Sequence, residues 1–358
     1  PRIIHVVTKK GKGYKPAEKN PAIFHSSKPF NVKNGQAVDV PADNKETGER
    51  TTYTKVFSKA LTELGRENKK IVAVSAAMAG GTGLDKFAIE FPERFFDVGI
   101  AEQHALTFCA GLSVKGFIPV AAIYSTFLQR GYDQIFHDIC LQDLQVILCL
   151  DRAGLVGDDG PTHHGVYDIS YLRNLPNLVI MAPRDADELI SMLTTALSIK
   201  HPVVIRYPKS KVNVPQGREH SVLPLGKSDI LKKGEDVCLL AYGSMVNEAV
   251  EAAVILENAG IKAEVINARF VKPLDEKMIE SIIKCGRKVI TMEEGSMLGG
   301  FGSAVAELLQ ANREDNVRLR ILGLPDKFIE HGKRRILLDK YGLSAAKIAE
   351  FVKKEFFK

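Results

Sequence analysis

Strand-length apolar runs alternate with helix-period segments along this chain, and that alternation constrains its fold more than any other feature. From Thr51, a helix over 53–67 precedes the run IVAVS at 71–75. A strand at 95–98 then leads into a helix that begins near Glu102. A strand at 117–123 feeds a helix over 126–142, and QVILCL at 145–150 feeds a long loop. A strand at 178–181, a helix over 185–200 and the strand VVIR at 203–206 complete the unit. Runs that are apolar throughout mark strands covered on both faces, so the pattern predicts an α/β fold with mainly parallel sheets.

A stretch rich in Pro, Gly, Lys and Ser follows and reads as a linker over 208–235. A second α/β unit then runs through strand 237–241, helix 246–259, strand 263–267, helix 275–284, strand 287–292, helix 301–311 and strand 318–322. Right-handed crossovers are expected in both units. The expected organisation is therefore an arm over 1–50 opening with a short strand, IIHVV, then domains over 51–207 and 236–358.

A hydrophobic content of 45% in 358 residues is enough for two ordinary cores. The net charge of +6 is spread among residues of both signs, which suits anionic small ligands and is no nucleic-acid footprint. No apolar run is long enough to span a membrane as a helix. Cys109, Cys140, Cys149, Cys238 and Cys285 have neither paired nor metal-like spacing and read as buried thiols in a reducing compartment.

Chemistry concentrates where strands of the first unit end. DVGIAEQHALTFCAG, residues 97–111, places Glu102 in the first turn of a helix whose Ala105, Phe108, Cys109 and Leu112 form a buried stripe. Glu102 is either a solvated capping acid or a catalytic group, and the segment alone does not decide. DRAGLVGDDGPTHHG, residues 151–165, combines glycines that admit a close ligand with Asp159 and His163 as proton-transfer groups. Asp158, Asp159, His163 and His164 could form a metal set, but adjacent histidines on an irregular loop suit one poorly. In YSTFLQRGYDQIFHD, residues 124–138, Ser125 or Thr126 could cap a helix, Phe127 offers a stacking surface and Arg130 an anion clamp. Arg206 beside Arg152 could grip a phosphate; Lys9 and Lys10 lie among glycines. GSMLGGFGS, residues 295–303, reads as close turn packing at a domain interface and only loosely as a phosphate cradle.

Taken together, TKKGKGYKPAE, IFHSS, FFDVGIAEQHA, YSTFLQRGYDQ, DRAGLVGDDGPTHHG and IRYPKS resemble the thiamine-diphosphate transketolase superfamily, and within it the branch that condenses pyruvate with glyceraldehyde 3-phosphate. The resemblance implies a pyrimidine-binding domain followed by a transketolase C-terminal domain. It implies that Glu102 bonds the cofactor's aminopyrimidine and controls its tautomer, and that Phe127 stacks on the pyrimidine. Lys10 would lie near the diphosphate, with Met78 and Arg130 also near the cofactor. Tyr124, Arg152 and Arg206 would hold the substrate phosphate, and Asp159, His163 and His25 would line the reacting carbons. The implied activity is a decarboxylative condensation to 1-deoxy-D-xylulose 5-phosphate, serving isoprenoid, thiamine and pyridoxal biosynthesis. The implied enzyme is a homodimer, cytoplasmic in a bacterium or stromal in a plant plastid, without membrane or nucleic-acid partners.

One departure limits that inference. The superfamily's GDG motif, with its spacer and asparagine for magnesium and diphosphate, has no counterpart here. The expectation is a piece of an enzyme whose N-terminal domain binds Mg2+ and diphosphate, with residues 1–50 as that domain's tail, inactive alone and with no metal ligands of its own. Three other readings stay open: a 2-oxo acid dehydrogenase β subunit, half of a split transketolase, and a cofactor-free interaction protein that kept the fold.

Overall fold

The computed structural model describes residues 1–21, 24, 27, 29–38, 50–157, 159–215, 217, 221–284, 288–312 and 317–357. Residues 1–48 and 49–358 form two compact units. In the smaller, the short helix Lys15–Lys19 carries Pro16 in its first turn. Glu18 ties the preceding turn down by accepting the Gly13 N–H at 3.0 Å and pairing with Lys9 at 2.7 Å. The Phe24 ring meets those of Tyr14 and Phe30 edge to face. The expected strand IIHVV is not formed, and Ile3 is 97% exposed. A strand persists only where a neighbour satisfies its backbone N–H and C=O groups, and these residues have no ladder partner among the described ones.

The larger unit contains, in chain order, β1 (Arg50–Thr52), β2 (Ile71–Ser75), β3 (Phe95–Asp97), β4 (Ile118–Tyr124), β5 (Ile147–Asp151), β6 (Val179–Met181), β7 (Val203–Arg206), β8 (Lys211–Asn213), β9 (Asp229–Lys232), β10 (Val237–Ala241), β11 (Ala263–Asn267), β12 (Phe270–Lys272), β13 (Lys288–Ser296) and β14 (Arg318–Leu324). The first sheet has the order β12-β6-β7-β5-β4-β2-β3 and is parallel except at β12. The second, β14-β13-β10-β11-β9, is parallel except at β9. The expected fold class, two α/β domains with mainly parallel sheets, is what forms.

Long-range pairing adds three features. The stretch expected as a linker contributes β8, which pairs with β1, and β9, an edge strand of the second sheet. Strand β12 leaves the second domain's course to close the first sheet beside β6. The two domains also share a core, in which Val74 and Leu148 of the first belong with Leu240 and Phe301 of the second.

Local chemistry sets the helix ends. Thr52 caps Tyr53–Glu67 by accepting the Lys55 N–H at 3.2 Å, and Asp185 caps Ala186–Ser198 by accepting that of Glu188 at 2.8 Å. Such a cap contributes about 1 kcal/mol. The expected helix over 126–142 is instead broken into a short α turn (Ser125–Leu128), a 3-10 turn (Gln129–Gly131), a second α turn (Tyr132–Gln134) and a π turn (Ile135–Cys140). Gly131 permits this path, since a Cβ there would lie 2.1 Å from Leu106 Cδ1 on the Glu102 helix. Such π turns recur at functional sites.

Candidate active site

Glu102 opens the helix Glu102–Val114, directly after β3 and a tight turn held by Asp97 Oδ1, which accepts from the N–H groups of Ala77 and Gly99. The helix buries Ala105, Leu106, Cys109 and Ala110, while Phe108 and Leu112 are half-buried against the same core. Glu102 is 5% exposed, and among the described residues its carboxylate has no hydrogen-bond or ion-pair partner. Burying a carboxylate without a partner is costly, so this position favours an incoming hydrogen-bonding group. Among the described residues no side chain caps this helix, and Glu102 is buried and so is not a solvated capping acid.

Strands β4, β5 and β7 end in register, with Tyr124 opposite Asp151 and Leu150 opposite Arg206. This brings Tyr124, Arg152 and Arg206 to one sheet edge, the ligand-binding edge of parallel sheets. The Arg152 guanidinium lies 3.8 Å from the Tyr124 ring centre. It donates to Asp151 Oδ1 at 2.9 Å and to the Gly81 carbonyl at 2.7 Å. Asp151 is fully buried and also accepts from Thr54 at 2.7 Å. Burial raises its carboxyl above the usual range, and Arg152 and Thr54 only partly oppose that. Burial pushes the Tyr124 phenol up to about 12, against the pull of Arg152.

Phe127 stacks on Tyr124 with ring centres 5.7 Å apart and meets His163 edge-on at 5.4 Å. The loop bearing His163 closes on itself where the N–H groups of Gly154 and Gly165 each donate to the other's carbonyl, at 2.7 and 2.9 Å. Thr126 donates to the Thr162 carbonyl at 3.0 Å, tying this loop to the Phe127 turn. Among the described residues Ser125 Oγ is buried without a partner, and neither candidate caps the turn. Asp159 accepts from Lys209 at 2.6 Å; partial burial works against its ionisation, but Lys209 prevails and holds the carboxyl below its ordinary range.

Arg206 is 5% exposed and directs its donors inward, to Asp168 at 2.9 Å and to the carbonyls of Gly165 and Glu294. Burial disfavours its charge, yet Asp168 beside it keeps the guanidinium protonated. The seam beyond it holds two groups that sequence reasoning missed. Glu293 accepts from the N–H groups of Phe301 and Gly302 at 2.8 and 2.9 Å, so its carboxylate already fills the N-terminus of the helix Phe301–Ala311. Burial nevertheless raises it to about 7. GSMLGGFGS accordingly serves as interface packing, with Ser170 donating to the Leu298 carbonyl and Arg173 to that of Gly299. Glu294 accepts from Leu155 N–H, Ser244 and Arg334; burial resists its charge, and Arg334 outweighs burial to lower its pKa. Two adjacent acids inside a strand that is buried from Val289 to Ser296 were the available signal.

Among the remaining candidates, Met78 is half-buried with its Cε beside Gly81, and Arg130 is exposed on the 3-10 turn. Lys10 is exposed in the smaller unit, while His25 lies outside the described residues. Asp158 also lies outside them. Both ring nitrogens of His164 are engaged, and no group of three His, Cys, Asp or Glu is placed to hold a metal among the described residues. Cys109, Cys140 and Cys149 are buried free thiols and Cys238 is buried; Cys285 lies outside the described residues.

Residues 49–215 match the transketolase pyrimidine binding domain, and residues 226–348 match the transketolase C-terminal domain. A split gene transketolase solved as an inactive β4 tetramer is 36% identical with a TM-score of 0.76, covering 85% of this chain and 98% of that one. The chain belongs to the transketolase family. Within it, the chain is a homologue of 1-deoxy-D-xylulose-5-phosphate synthase. It is 53% identical, over 98% of its length, to 1-deoxy-D-xylulose-5-phosphate synthase 1 of Geobacter sulfurreducens and 52% identical, over 99%, to the synthase of Pelotomaculum thermopropionicum. It covers 54% and 55% of those two proteins, so it spans about half the length of the curated relatives it matches. The transketolase of Campylobacter jejuni, at 20% identity and a TM-score of 0.72 over 88% of this chain and 48% of that one, shares the fold.

Proposed function

We propose that this chain supplies the aminopyrimidine side and the substrate-facing loop of an enzyme that joins pyruvate to glyceraldehyde 3-phosphate, with loss of carbon dioxide, to give 1-deoxy-D-xylulose 5-phosphate. The observation that carries this reading is Glu102, a buried carboxylate without a partner of its own among the described residues. An aminopyrimidine ring nitrogen is a partner of the right kind, and the half-buried face of Phe127 suits stacking on the same ring. When bound, thiamine diphosphate supplies a nucleophilic carbon and an electron sink. Glu102 would hold a proton at the ring nitrogen and so fix the tautomer. Tyr124 and Arg152 would orient the aldehyde's phosphate with Arg130 beside them, while Arg206, its donors taken by Asp168 and two carbonyls, would support that sheet edge. Asp159 and His163, with His25, would hold or move protons near the reacting carbons, while Met78 and Lys10 would flank the cofactor.

Diphosphate and Mg2+ would be held by a partner half outside 1–358, and the working assembly would be a dimer. The test combines the chain with the diphosphate-binding half of a homologous synthase and measures product from pyruvate and glyceraldehyde 3-phosphate. Product is the expected result. Turnover of a ketose phosphate without any use of pyruvate would overturn it in favour of a split transketolase, the reading that the 98% coverage of the split-gene chain supports. Turnover only with a lipoyl acceptor would favour a 2-oxo acid dehydrogenase subunit.

A further inference from the structure

We infer that His164 is a positioning residue through which the C-terminal domain sets the loop carrying Asp159 and His163. The inference rests on the function proposed above. His164 is 3% exposed. Its Nδ1 accepts the Val156 N–H at 3.0 Å, so the ring proton sits on Nε2, which points at the Glu330 carbonyl at 3.1 Å. One neutral ring thus joins the outgoing limb of the loop, its returning limb and the other domain.

Neighbouring backbone repeats the connection. Gly332 N–H donates to the Gly157 carbonyl at 3.2 Å, and Gly157 has φ +88°. A Cβ on Gly160 would lie 3.2 Å from His331 Cβ, so the loop tip rests directly on this segment. The N–H groups of His163 and His164 both donate to the Gly160 carbonyl, at 3.0 and 3.2 Å. Asp159 and His163 are therefore each one residue away from an anchored position. With both nitrogens occupied, His164 has none to offer a substrate, and its effect passes through its neighbours. A misplacement of about 1 Å at reacting groups can cost on the order of a hundredfold in rate.

The two bonds can be separated in the complete enzyme. His164→Asn keeps an acceptor for Val156 N–H but is too short to reach Glu330; His164→Gln keeps a donor that reaches Glu330. We expect His164→Asn to raise KM for glyceraldehyde 3-phosphate about tenfold or more, with carbon dioxide release from pyruvate alone within about twofold of wild type. His164→Gln should recover most of that loss. Parallel loss of both half-reactions together with Tm, or wild-type KM in both variants, overturns the inference. Amide exchange on chain 1–358 reads the anchor without activity. His164→Ala should lose protection at Val156, whose N–H the imidazole accepts, while β4 and β5 keep theirs, and unchanged protection overturns the anchor whatever the reaction proves to be.

Discussion

The Arg152 guanidinium packs on the face of Tyr124 at 3.8 Å while neutralising the fully buried Asp151. Arg152 holds φ +62°, outside the usual region for a non-glycine residue. One side chain thus stabilises the sheet edge and presents charge to it. Arg152→Met would leave Asp151 with only neutral donors, the Thr54 hydroxyl and the backbone N–H of residue 152, and should cost about 3–5 kcal/mol. Asp151→Asn added to it should restore part of the loss. A double-mutant cycle by chemical denaturation reads the coupling, and additive losses would contradict the pairing.

Glu102→Gln separates function from folding. It removes a buried charge that has no partner among the described residues, so stability should hold or rise. Pyruvate decarboxylation in the complete enzyme should fall roughly 10²- to 10⁴-fold. Near-normal decarboxylation would count heavily against the assigned role.

Glu293 makes a pH signature. Its folded pKa, about 7, lies above the ordinary 4.5 because burial outweighs the two backbone bonds from Phe301 and Gly302. Between those values the unfolded chain has lost this proton and the folded chain has kept it, so the folded state loses stability as pH rises. The loss is complete above the folded pKa, and amounts to at most about 3 kcal/mol. Measured against Glu293→Gln, wild-type stability should decline from pH 4.5 to 7 and then run parallel to the variant. A difference that does not vary with pH would refute this.

Gly81 lets the Tyr124 hydroxyl approach the backbone, because a Cβ there would lie 2.1 Å from that oxygen. Gly81→Ala should displace the ring, cost about 1–3 kcal/mol and raise KM for the phosphorylated aldehyde about tenfold. Steady-state kinetics beside thermal unfolding checks both, and an unchanged KM would remove Tyr124 from the phosphate site.

How much of this was legible in the sequence follows from distance along the chain. Runs such as IVAVS at 71–75 are apolar throughout because both sheet faces are covered, and that property is local. Glu102 at its helix start and the glycine-rich loop after β5 were legible for the same reason. The broken helix after Tyr124 was not, because Gly131 answers to Leu106 on a neighbouring element. Nor was the short strand Phe270–Lys272, whose place is defined by its pairing with β6.

By itself, the sequence determined the fold class, the order of elements and the side chains gathered at one sheet edge. Only tertiary structure decided which of them stay available. Arg206 is taken inward by Asp168, 38 residues away, and His164 is bound to Glu330, 166 residues away. Glu102 is buried with no counterpart among the described residues. Hydrogen bonding and desolvation act over a few ångströms, so the state of a charged group is set by what packing brings beside it.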